Sequence, residues 1–179
     1  IVRNSGTTKM YQDGIEIGSV SDTATHNSSA TTYIGNYSTG SYYWDGYLDE
    51  LRISRTARYT SSFTPSTTAF KDDKDTVLLL HADGGGGIDS ETNLATLPGE
   101  GTYFYDDSTN AIFYGADGIP TNKSLIAFDG SGDYLSVPAS SDFNLGTNFT
   151  VECWFQYGGD DEGGIMGTQN TNGYSGWLF

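Results

Sequence analysis

Short runs in which aromatic and β-branched residues alternate with polar ones fill this chain, each soon cut by Gly, Asp, Asn or Ser. That punctuation leaves no convincing stretch with a helical period, and a chain built this way has to bury its apolar side chains through paired strands. Lys9 to Gly18 alternates around Asp13-Gly14, a pair suited to the left-handed positions of a type I′ hairpin turn. Thr31 to Tyr37 reads as a strand, and Tyr42 to Ser54 as two aromatic-rich strands hinged near Asp45-Gly46. Further strands are expected at Thr76 to His81, Thr102 to Tyr105, Ala111 to Tyr114, Leu125 to Phe128 and Tyr134 to Val137. Phe149 to Tyr157 is the longest and most apolar. Between the first and second groups of strands, Thr60 to Asp75 has the Pro, Ser, Thr and Lys/Asp content of a linker. Many short strands at this spacing predict an all-β sandwich or jelly roll.

Composition narrows the partners. Aromatics make up 14% of the 179 residues, enough apolar area for a core, and they favour strands. The net charge is −15, with only short basic stretches at Arg52 to Arg58 and Lys71 to Lys74. Such a surface repels a phosphate backbone, which argues against nucleic acid, and anionic lipid is disfavoured for the same reason. No apolar run approaches the ~18 residues of a membrane helix, so membrane insertion is not expected. Cys153 is the one cysteine; it has no CxxC partner or nearby His and reads as a small buried hydrophobe. The start at Ile1 and the apolar stop at Trp177-Leu178-Phe179 suggest a piece of a longer polypeptide.

The segment Tyr47 to Ser54 can be read residue by residue. A strand period of two puts Tyr47, Asp49, Leu51 and Ile53 on one face and Leu48, Glu50 and Arg52 on the other, wetter one. Asp49 then lies on the more apolar face, where it has to be either hydrogen-bonded or metal-bound.

Two sets of motifs carry a family resemblance. Tyr33-Ile34-Gly35, Trp44 through Ser54, Ala57-Arg58-Tyr59 and Phe63-Thr64-Pro65 resemble the C-terminal half of a laminin G-like (concanavalin A-like) jelly roll. Val77 through Gly84, Phe128 through Leu135, Phe143 through Gly146 and Phe149 through Phe155 resemble the N-terminal half. The halves stand in inverted order: residues 1–65 are the end of one such domain, 66–75 a linker, and 76–179 the start of the next. A tandem array gives this order, and so does a circularly permuted domain whose halves fold together. A half-domain by itself would expose strand edges, so each half needs a complement. Similar tandem modules occur in phage tail, fibre and appendage proteins, which implies a virion-surface or extracellular location and further copies or domains of the same assembly as partners.

The resemblance also implies calcium. The ion takes hard oxygen ligands from acidic loops, and Asp49, Asp83, Asp106, Asp107 and Asp129 are the candidates, with hydrogen bonding as the alternative for Asp49 and a plain Asx turn for Asp106-Asp107. Tyr42, Tyr43 and Trp44 are consecutive, so at least one faces outward, and such rings can stack on sugars. The alternative places Trp44 in the core and the tyrosines along an edge.

Catalysis is poorly supported. Glycosidases need two carboxylates flanking one bond, and Glu152 is followed in phase by Trp154 and Gln156. Asp49 and Glu50 are adjacent and point to opposite faces in a regular strand, while His26 and His81 have no zinc-ligand spacing. Two functional classes follow. One is a non-enzymatic structural or adhesive module of a virion appendage or other extracellular surface, recognising host or environmental glycans. The other is a carbohydrate-binding module of a secreted enzyme.

Overall fold

The computed structural model describes residues 1–24, 26, 30–38, 41–81, 113–114, 125–159, 163–168 and 179. The chain opens with β1 (Val2–Asn4), β2 (Thr7–Gln12) and β3 (Ile15–Ser21). Asp13 and Gly14 turn the β2–β3 hairpin with φ of 52° and 77°, the two positive values a type I′ turn requires. Next come β4 (Thr32–Ile34), β5 (Asn36–Ser38), β6 (Ser41–Tyr43) and the ten-residue β7 (Asp45–Ser54). The expected strand at Thr31 to Tyr37 is broken in two by Gly35, whose φ of 80° leaves the extended region, and only glycine fits there because a Cβ would lie 2.1 Å from the Phe128 ring.

After residues 55–75, β8 (Thr76–Leu80), β9 (Phe113–Tyr114), β10 (Leu125–Asp129), β11 (Leu135–Val137), β12 (Phe149–Tyr157) and β13 (Met166–Thr168) complete the described elements, with one 3-10 turn at Ser141–Phe143. Ser140 caps that turn, its hydroxyl accepting from the Asp142 amide. All strand pairs are antiparallel. The large sheet runs β3-β2-β1-β12-β7-β10-β9, a second sheet runs β11-β4-β13, and β5 pairs with β6. Among the described residues no helix is long and apolar enough to cross a membrane.

β7 is the spine of the large sheet. One of its edges pairs with β12 along nearly its whole length. The other is shared: β10 takes Asp45 to Leu48, and β8 takes Leu51 to Ser54. β7 lies in the first expected half-domain and its three partners in the second, so each segment receives complementary strands from the other within this chain. Leu48, Leu51 and Ile53 of β7, Leu78 and Leu80 of β8, and Phe149 and Val151 of β12 meet Ile34, Leu135, Val137 and Met166 of the smaller sheet in one core. Each such side chain contributes about 1.5–3 kcal/mol by leaving water. The result is an all-β sandwich of antiparallel sheets, as expected from the sequence.

A bulge corrects the two-faced reading of β7. Glu152 pairs with Arg52 and Trp154 with Asp49, so Glu50 and Leu51 together oppose Cys153. Glu50 takes the extra position with φ 51°. The alternation slips there: Leu48 joins Leu51 and Ile53 in the core, whereas Asp49 moves to the outer face as the cross-strand partner of Trp154. Glu50 and Arg52, expected on a wet face, are each buried.

Candidate functional site: the strapped outer face

The outer face of the large sheet carries Thr150, Glu152, Trp154 and Gln156 on β12 beside Ser54, Arg52, Asp49 and Tyr47 on β7. Residues 55–75, of which 66–75 were expected as a linker, contain no strand or helix but lie across this face as a strap. The strap is held by side chains. Thr150 Oγ1 donates to the Thr56 carbonyl and accepts from the Arg58 amide at 2.7 and 2.9 Å. Tyr59 stacks on Phe63 with centroids 3.6 Å apart, and Phe63 meets the Tyr11 ring edge-on at 5.5 Å. The Phe63 amide donates to the Gly14 carbonyl at 2.9 Å, which fastens the strap to the hairpin tip.

Beneath the strap lies a polar network. Arg52 donates through Nε and Nη2 to one oxygen of Glu152 at 2.9 and 2.7 Å, and Tyr59 donates to the other at 2.8 Å. Burial, then the charge and hydrogen bond of Glu152, push the Tyr59 hydroxyl up to about 12. Arg52 also sits 4.2 Å over the Phe70 ring. Arg58 grips both oxygens of Asp73 at 2.9 Å, and these bonds hold the Asp73 carboxyl well below the usual carboxylate range. Glu50 accepts from the Phe70 amide and is 2.7 Å from His81 Nδ1. The two glutamates that might have suggested catalysis are thus bound up in holding the strap.

Between the hairpin tip, the strap and β12 opens a cleft of about 410 Å³. Tyr11, Gln12, Phe63, Phe70, Glu152 and Trp154 are among its lining residues. The Tyr11 hydroxyl is shielded from solvent and has no hydrogen-bond partner among the described residues. Trp154 is 41% exposed and its diagonal neighbour Tyr47 39%. Cys153 is a free thiol packed against the core and pushed up to about 12, chiefly by burial.

The residues singled out from sequence are not brought together. Trp44 is 6% exposed and packs against Phe155 and Tyr157, Tyr43 is half-buried, and Tyr42 is exposed. Asp49 accepts from the Glu50 amide at 2.8 Å, and Asp129 from the Ser131 amide at 2.7 Å. Asp129 pairs with Asp45, four residues along β7 from Asp49, so the two candidates stand about 13 Å apart at strand spacing and cannot share an ion. Asp83, Asp106 and Asp107 lie outside the described residues, and among those described no three His, Cys, Asp or Glu side chains gather into a metal site. Sequence reading missed Tyr11, Phe63 and Phe70; their signal was aromatic residues set into turn-like and linker-like surroundings.

Residues 1–62, which include the hairpin, β7 and the start of the strap, match the profile of the concanavalin A-like lectin/glucanases superfamily. Over those residues the chain is similar to this superfamily, and its all-β antiparallel sandwich is consistent with a concanavalin A-like fold. No curated protein and no solved structure matches the chain. The superfamily as a whole points to a carbohydrate-binding or adhesive module, and the concanavalin A-like sheet here provides both a rigid platform and a cleft beside it.

Proposed function

We propose that this chain is a non-enzymatic adhesive module of an extracellular surface assembly, such as a virion appendage, and that it recognises glycans. The observation that carries the reading is the state of the outer-face carboxylates. Glu152 is held by Arg52 and Tyr59, and Glu50 by the Phe70 amide and His81. Each is therefore committed to a structural contact, whereas glycoside hydrolysis requires two carboxylates free to act on one bond. Exposed rings on a stiff sheet suit binding without turnover, because an indole or phenol face gives contact area at little entropy cost. Net charge of −15 favours uncharged glycans over sulfated or sialylated ones.

The test is to pass the protein over immobilised neutral and acidic oligosaccharides while assaying the same sugars for new reducing ends. Retention on neutral glycans with no hydrolysis is expected. Hydrolysis, or retention on acidic glycans alone, would overturn the reading.

A further inference from the structure

We infer that the cleft between the β2–β3 hairpin tip and the strap is the glycan site, and that it takes an uncharged pyranose. This rests on the glycan-recognising reading above and assigns it a place. The volume of about 410 Å³ falls within the size range of small-ligand sites, ~300–1,000 Å³. The walls are chiefly apolar, with seven aromatic rings among them and polar groups at a few points, which is the lining that orients a small polar ring.

Three features select the ligand. First, the solvent-shielded Tyr11 hydroxyl has no partner among the described residues, and a buried hydroxyl is normally satisfied by protein, water or ligand. A ligand rich in hydroxyls supplies that bond once the rings that cover the group move aside. Second, Trp154 presents an indole with 41% of its surface exposed at the cleft, a flat apolar face for the C–H side of a sugar ring. Third, the charges exclude anions: Asp13 and Glu152 line the cleft, while the nearby Arg52, Arg58 and Lys9 are engaged by Glu152, Asp73 and Glu16. An anionic sugar would meet these two carboxylates, and the three cations named are already paired. None of Tyr42, Tyr43 or Trp44 lines this cleft.

The test uses calorimetric titration of the whole chain with neutral gluco-, manno-, xylo- and galacto-hexasaccharides. Variants Trp154→Ala, Tyr11→Phe and Tyr42→Ala are compared, and near-ultraviolet circular dichroism checks each fold. We expect at least one hexasaccharide to bind, Trp154→Ala to weaken it by about tenfold or more and Tyr11→Phe by about fivefold, and Tyr42→Ala to leave it unchanged. Binding unaffected by Trp154→Ala and Tyr11→Phe overturns the cleft assignment and leaves the glycan reading standing. Absence of binding to every hexasaccharide overturns both.

Discussion

Arg52 and Glu152 face each other across β7 and β12, and the guanidinium places two nitrogens on a single carboxylate oxygen at 2.7 and 2.9 Å. Both side chains are nearly shut off from solvent by the strap, at 9% and 13% exposure. Removing one partner leaves the other charged and poorly solvated. Arg52→Met should therefore cost about 3 kcal/mol in urea denaturation, and the double variant Arg52→Met/Glu152→Leu should recover most of that loss. Additive losses would mean that the pair is not coupled.

The hairpin tip and the strap depend on each other at Gly14. A Cβ there would lie 1.9 Å from the Phe63 carbonyl oxygen, at a φ of 77° that side chains disfavour. Gly14→Ala should lower stability by about 2 kcal/mol and loosen the strap. Limited proteolysis should then cut between residues 60 and 70 faster than in the parent protein; an unchanged cleavage rate would show that the strap does not depend on this contact.

Acid should destabilise the fold through Asp22. Burial alone would raise its carboxyl, but hydrogen bonds from Thr8, His26 and the Ala24 amide outweigh that and bring it down to about 2. A folded-state value below the ordinary 3.8 means the stabilisation is complete above about pH 4 and is lost as the pH falls towards 2. Asp73, depressed by Arg58, acts in the same direction. Asp22→Asn should flatten this part of the stability-against-pH curve, measured by thermal melts between pH 2 and 6.

How much of this was legible beforehand differs from element to element. Asp13-Gly14 announced its turn because few other pairs accept two positive φ values in succession. Phe149–Tyr157 announced itself by length and apolar content. The bulge gave no signal, since a glutamate at φ 51° carries no mark in sequence, and it alone moved Asp49 to the opposite face. The strap was hidden by its Ser, Thr and Pro content, which outweighed the spacing of Tyr59, Phe63 and Phe70. Whether a neighbouring module or the same chain completes each half could not be read from motifs, while the structure pairs β7 with β12.

Asp129 and Asp45 are direct cross-strand partners with like charges. In chelator, Asp129→Asn should raise stability by about 0.5 kcal/mol by relieving that repulsion. A melting temperature of the parent chain that rises with calcium, and a variant that lacks the rise, would instead place a cation between these carboxylates.

The most direct test of the central claim is a protein–sugar nuclear magnetic resonance titration that follows the three tryptophan indole N–H signals as a bound neutral hexasaccharide is added. The account predicts that the Trp154 signal shifts progressively to saturation with no new reducing ends formed, while that of the core residue Trp44 moves little. A saturating shift confined to Trp44 or Trp177, or release of reducing ends during the titration, would contradict it.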